Sequence, residues 1–193
     1  MMTARIRRAT TDDFPHLARF RIMAHGGWNE AMYDGLVPGQ SVEEIIQPEF
    51  ARPGTTPFYE NHWLASWDGE IAGGLHAYPW DDMEGDPPNP LIPEERHAIE
   101  EPFHRLTAPG TYYIHALAVY PEFGRKGLGS TLLSLARDQA IEKGLTDLSL
   151  YVYAQNVGAV ALYEKHGYEV AGRSPLVEHP LLRYTGDVLI MTR

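Results

Sequence analysis

A chain of 193 residues, 44% apolar and 22% charged, has the size and core-forming content of one domain spanning 1–193, with no need for a disulfide or metal staple. It contains no cysteine, which removes disulfides, thiolate metal sites and a thiol nucleophile, and it holds no run of about 20 apolar residues that could cross a bilayer. The formal charge of −10 opposes binding to a phosphate backbone, and the segment after Met1 lacks the apolar core of a secretory leader, so the expectation is a cytoplasmic protein without nucleic-acid or membrane partners.

Ala4 to Ala9 alternates as a strand, and Thr10 and Asp13 stand at capping-box spacing before Phe14, Leu17, Ala18 and Ile22, which recur as on a helix. Gly26, Gly27 and Gly35 then break the chain around Trp28, Asn29, Tyr33 and Asp34, a segment expected to be mobile, before a short helix opening at Ser41. Trp63–Trp67 and Glu70–Tyr78 read as a hairpin turning at Asp68-Gly69. Residues 81–110 carry six prolines among many acids and read as an inserted loop with a helix near Glu94–Glu101; whether it covers a site or is a surface excursion is left open.

From Tyr112 to Tyr120 the chain is apolar and β-branched enough for a buried strand, and Leu128–Glu142 follows at helical period up to Gly144. Leu148, Leu150 and Val152 alternate with Ser149, Tyr151 and Tyr153, completing a β-α-β unit. A helix over Val157–His166 closing at Gly167, then strands at Tyr168–Gly172 and Asp187–Thr192, finish a mixed α/β domain.

Between the buried strand and its helix lies Gly124-Arg125-Lys126-Gly127-Leu128-Gly129-Ser130. The first amides of a helix have no partners and attract anions, so this turn suits a phosphate group; a plain strand-to-helix turn with two solvated cations explains the residues equally well. It is not a P-loop, because Lys126 precedes Gly127 rather than following the last glycine, and Leu132 occupies the third small position that a dinucleotide fingerprint needs. The nine histidines show no tight ligand spacing, so no metal is expected.

The run from Ile114 to Glu122 leading into Gly127-Leu128-Gly129 resembles the pyrophosphate-binding motif of the GNAT superfamily of N-acetyltransferases. Asn156, Ala159, Leu162, Tyr163, Lys165, Gly167 and Tyr168 resemble that family's next segment, about 30 residues on. The likeness covers residues 111–173, with Gly124 standing where the family has Gln or Arg and Arg125 beside it. It implies a central twisted, mostly antiparallel sheet of about six or seven strands flanked by about four helices, and acetyl-CoA as cosubstrate. It further implies main-chain contacts to the pantetheine arm from Leu117 and Val119, a pyrophosphate held by the amides of Arg125, Lys126, Gly127, Leu128, Gly129 and Ser130, and Asn156 near the thiol. By spacing alone Asn156 is a helix N-cap. Trp28, Asn29, Tyr33 and Asp34 fall where the family places its acceptor.

Acetylating an amine requires removing a proton from the amine and giving one to the departing thiolate. Tyr163 matches the family's proton donor, though a tyrosine packing beside Leu162 is its ordinary alternative. His115 is the leading base, since on a regular strand it shares a face with Tyr113, Leu117 and Val119; His76, Asp81, Asp82 and Glu84 are further candidates. The acceptor, a small-molecule or peptide amine, is left open, as is a monomer or a homodimer. The alternative reading is a noncatalytic coenzyme A-binding module.

Overall fold

In the computed structural model, which describes residues 4–193, seven strands form one sheet. They are β1 (Ala4–Arg8), β2 (His62–Trp67), β3 (Glu70–Pro79), β4 (Tyr112–Val119), β5 (Leu148–Tyr153), β6 (Glu169–Pro175) and β7 (Asp187–Thr192), in spatial order β1-β2-β3-β4-β5-β7-β6. Every neighbouring pair is antiparallel except β4–β5, which the long α-helical crossover makes parallel.

The helices are α1 (Phe14–Ala24), α2 (Trp28–Tyr33), α3 (Val42–Ile46), α4 (Glu101–His104), α5 (Leu128–Glu142) and α6 (Val157–Lys165). The helix expected near Glu94–Glu101 is a 3-10 segment over Glu94–Ile99 followed by the four-residue α4, and the six-residue α2 stands where no helix was expected. The segment expected to be mobile is therefore helical, with Ala31, Met32 and Tyr33 in the core, because the glycines at 26 and 27 turn the chain and let α2 pack back on α1. Ser41 caps α3 reciprocally with Glu44, which satisfies two amides at once. Asp68 (φ 51°) and Gly69 (φ 91°) make the β2–β3 turn.

The sheet separates two cores. On one face Leu75, Ala77, Ile114 and Leu150 pack with Leu128, Leu132 and Ala136 of α5; on the other Leu64 and Ala118 pack with Leu17 and Phe20 of α1 and with Ile46 and Phe50. Trp80, Phe103 and Leu106 from the proline-rich insertion join Tyr151 and Val188 in a third cluster, so that insertion is part of the folded body. Among the described residues no helix is long and apolar enough to cross a membrane.

Candidate active site

β4 and β5 pair only from Tyr112 to Ile114 and from Leu148 to Leu150. Beyond that point they part, and the gap opens into a cavity of about 610 Å³ walled by β4, β5, α1, α6 and the 80–107 segment. Cavities of this size accept small organic ligands.

Where the strands part, β4 carries a bulge. Ala77 pairs with Ile114 and His76 with Ala116, leaving His115 as the extra residue. This corrects the regular alternation expected for the strand. Leu117 and Val119 lie on the α5 face with Tyr112 and Ile114, whereas His115 meets His76 and His25 on the α1 side. The bulge thus re-aims His115 while leaving it on the cavity wall.

Four histidines line up behind this point. His62 stacks on His76 with ring centres 3.9 Å apart, His76 Nδ1 is 2.9 Å from His115 Nδ1, and His25 sits edge-on to His115 at 4.6 Å. Carbonyl partners fix the tautomers, because a carbonyl oxygen can only accept. His76 donates from Nε2 to Thr56 O at 2.8 Å, so as a neutral ring it accepts at Nδ1. His115 must then donate from Nδ1, which leaves its Nε2 as a lone pair that no described residue engages. His25 donates from Nε2 to His115 O at 3.2 Å and accepts from Asn29 at Nδ1.

These rings are held neutral. Burial lowers His25 and His62 to about 3, with the Arg21 cation adding to it, and burial together with neighbouring imidazoles and Arg21 holds His76 and His115 well below the usual histidine range. Arg21 itself stays charged although buried, because Glu49 at 2.5 Å and the Tyr33 hydroxyl outweigh the desolvation; burial pushes the Glu49 carboxyl up, but Arg21 brings it below its ordinary value. Tyr33 donates to Glu49 at 2.9 Å and Asn89 of the insertion donates at 2.7 Å, closing the network.

Tyr163 reaches the cavity from α6. Burial raises its phenol to about 12, so at neutral pH it keeps its proton and can donate. Asn156 also lines the cavity, and its Oδ1 accepts from Ala159 N at 3.3 Å; it is thus the N-cap of α6, with its amide nitrogen left over. Leu117 and Val119 line the cavity on the stretch of β4 that β5 no longer covers.

The glycine turn lies outside this cavity, at the start of α5. Gly127 has φ 81°, which a side chain would strain, and its carbonyl takes Thr131 N as the first helical bond. The amides of Leu128, Gly129 and Ser130 therefore have no helical acceptor. The side chains nearby behave differently from one another: Leu128 is in the core, Lys126 lies 4.9 Å over Phe123 and 5.2 Å over Trp67, Ser130 Oγ is 2.9 Å from His166 Nε2, and Arg125 is exposed.

Of the four residues expected at the acceptor end, only Trp28 lines the cavity. Asn29 is fully buried and bonded to His25 and the Arg21 carbonyl, Tyr33 is in the Arg21–Glu49 network, and Asp34 is exposed beyond the end of α2. Helical spacing turns residues 29 and 33 to one side, and that side is the core. Asp81, Asp82 and Glu84 are also away from the cavity, while His76 lies behind His115. Residue-by-residue reading missed His25, Tyr78, Trp80, Phe103, Tyr151 and Tyr153. One signal was present: on β5, Tyr151 and Tyr153 alternate with the core residues Leu150 and Val152, so an aromatic face lies opposite the packed one. Among the described residues no group of three acids or histidines is placed to hold a metal ion.

Comparison with known proteins agrees with this architecture. The model of the acetyltransferase (GNAT) family matches residues 29–168. A mycothiol acetyltransferase of Clavibacter sepedonicus is 33% identical over 87 residues, 45% of this chain and 29% of that protein. A [ribosomal protein bS18]-alanine N-acetyltransferase of Salmonella typhimurium is 44% identical over 55 residues, 28% of this chain and 37% of that one. This chain thus spans about a third of the length of these curated relatives. Among solved structures, an N-acetyltransferase from Staphylococcus aureus Mu50 superposes with a TM-score of 0.70 at 18% identity, covering 98% of this chain and 100% of that one. A PaiA N-acetyltransferase from Thermoplasma acidophilum in complex with coenzyme A gives 0.56 at 18% identity, covering 100% and 99%. At such identities these two speak for the fold.

Proposed function

Because this chain belongs to the acetyltransferase (GNAT) family, we propose that it transfers the acetyl group of acetyl-CoA to a primary amine held beside His115. The observation that carries this reading is the meeting, on one cavity where β4 leaves β5, of a neutral imidazole with a free Nε2 and a phenol that keeps its proton.

The residues present fit the cosubstrate. Three free amides at the positive end of the fifteen-residue helix α5 suit a diphosphate, and the uncovered stretch of β4 at Leu117 and Val119 suits the amide-bearing pantetheine arm as an added strand. When bound, acetyl-CoA supplies an activated acetyl group with a thiolate leaving group. His115 Nε2 takes the proton that the amine sheds as it bonds to the acetyl carbon. His76 holds His115 in the tautomer that leaves Nε2 open, and the Tyr163 hydroxyl gives its proton to the departing sulfur. Asn156, fixed by its capping bond, offers its remaining amide hydrogens at the same end of the cavity.

Thermal unfolding with acetyl-CoA, coenzyme A and NAD tests the reading, since a ligand that binds only the folded chain raises its melting point. Stabilisation by the first two and not by NAD is expected, and no shift with acetyl-CoA ends the assignment. Thiol release in the presence of amines then separates an enzyme from a noncatalytic coenzyme A-binding module. Tyr163→Phe is expected to lower kcat about 100-fold, and full activity in that variant removes the proposed acid.

A further inference from the structure

Much of the cavity wall is aromatic. Trp28, Tyr78, Trp80, Phe103, Tyr113 and Tyr151 come to it from α2, β3, β4, β5 and the proline-rich insertion. Their rings meet edge to face, with Trp80 5.1 Å from Tyr113, Tyr113 5.5 Å from Tyr151 and Phe103 5.4 Å from Tyr151. A further ring laid against this wall finds the same tilted contacts.

Charge in this wall is one-sided. Among the described residues no lysine or arginine lines the cavity, and His104 does. Its carboxylates, Asp86 and Glu100, already have partners, since Asp86 accepts from Thr56 N at 2.9 Å and from the Thr56 hydroxyl, and Glu100 lies 2.6 Å from His97. A carboxylate or phosphate on the acceptor would lose its water here and gain no lysine or arginine, which is costly.

The segments around this wall are also fastened to one another. Gly27 lies so close to the β6–β7 loop that an added methyl would stand 1.9 Å from Leu181 O. Arg183 N donates to Gly26 O at 2.9 Å, Arg183 pairs with Glu30 at 2.8 Å, and Tyr184 stacks on Tyr153 at 4.7 Å. The insertion is fastened as well: Arg96 donates to Met32 O and Asp34 O at 2.9 Å each, and the Tyr151 hydroxyl donates to Phe103 O and Leu106 O. A peptide acceptor continues for several residues past its reacting amine, and segments fastened in this way have little freedom to part for one.

We propose that the acceptor is an aromatic monoamine, a primary amine on a short chain carrying an aromatic ring and no carboxylate. This rests on the acetyl-transfer reading and narrows it. The ring packs among Trp80, Tyr113 and Tyr151, and the amine projects toward His115 Nε2. The amine nitrogen bonds to the acetyl carbon, the carbon–sulfur bond breaks, the amine proton passes to His115 and the thiolate takes one from Tyr163.

The test uses the full chain with acetyl-CoA and five acceptors: 2-phenylethylamine, tyramine, hexylamine, L-phenylalanine and an alanine-initiated pentapeptide. The expected result is a kcat/KM for the two aromatic amines at least about 100-fold above those for phenylalanine and the pentapeptide, with hexylamine between. Trp80→Ala should raise KM for 2-phenylethylamine about tenfold. Tryptophan fluorescence of the coenzyme A complex, titrated with 2-phenylethylamine, reads binding apart from chemistry. Equal or better turnover of phenylalanine, hexylamine or the pentapeptide overturns the proposal while acetyl transfer stands. Saturable quenching by 2-phenylethylamine with no turnover of any amine supports the aromatic site and removes acetyl transfer. Neither quenching nor turnover with 2-phenylethylamine overturns the proposal.

Discussion

At the start of α5 the groups free to meet a ligand are the main-chain amides of Leu128, Gly129 and Ser130, whereas His115 offers a side chain oriented by the His76 side chain, which the Thr56 carbonyl holds in turn. The first arrangement needs only a helix that begins at a glycine with positive φ, and it survives changes in the side chains beside it. The second depends on a chain of contacts running from Thr56 through His76 to His115, so a single change disables it. On the proposed reading, one end of the molecule binds by backbone geometry and the other acts by side-chain positioning.

That contrast is sharpest at His115 itself. His115→Ala should lower kcat/KM by about 10²–10⁴ while keeping the melting shift given by coenzyme A, because the base is lost and the amides are not. An unchanged rate would show that the side-chain end does not act as described.

Acid is the next largest lever, and it falls on the same histidines. Above about pH 6.5 both folded and unfolded chains hold His25 and His62 neutral; below it the unfolded chain takes up protons that the folded chain refuses until about pH 3. Stability is therefore complete above 6.5 and falls with pH through that window, by roughly 1.4 kcal/mol per unit for each histidine. Urea unfolding of the parent and of His62→Phe between pH 7 and 5 measures it, and the variant should show the flatter slope. Parallel slopes would mean that His62 charges freely in the folded chain.

Changing the positioning residue should cost less than removing the base. His76→Leu is expected to lower kcat about tenfold to 100-fold and to alter the pH–rate profile, since His115 loses the acceptor that fixes its tautomer. His76→Asn, which can still accept from His115 and donate to Thr56, should recover most of the rate. Equal losses in both variants would point to packing rather than tautomer control. The smallest effect belongs to the backbone end: Arg125→Ala should weaken coenzyme A binding less than tenfold by titration, because an exposed cation screened by water adds little to three amides. A loss above 100-fold would move the main phosphate contact to that side chain.

Much of the fold was legible. Apolar and β-branched content marked β4, alternation marked β5, helical period marked α5 to within its observed bounds, and Asp68-Gly69 and Gly144 marked their turns. The candidate site was legible where it is local, at Gly127, Gly129, Asn156 and Tyr163, all within the stretch whose motifs could be read in order. It was not legible at Asn29 and Tyr33, which look like surface groups between glycines and are core groups bonded to His25 and Glu49.

The sequence by itself determined most of the elements, their order and the glycine-led start of α5, because each depends on residues within a turn or two of one another. Tertiary structure alone decided that β4 bulges at His115, that His76 sets its tautomer from 39 residues away, and that Tyr153 bonds to His25 O across 128. It also decided that Arg21 and Glu49 meet inside the core and that the Arg21 cation bears on the buried histidines. Periodicity records which face of an element is apolar; it carries no record of which distant polar groups will share that interior, and desolvation acts on those groups only once packing has excluded water.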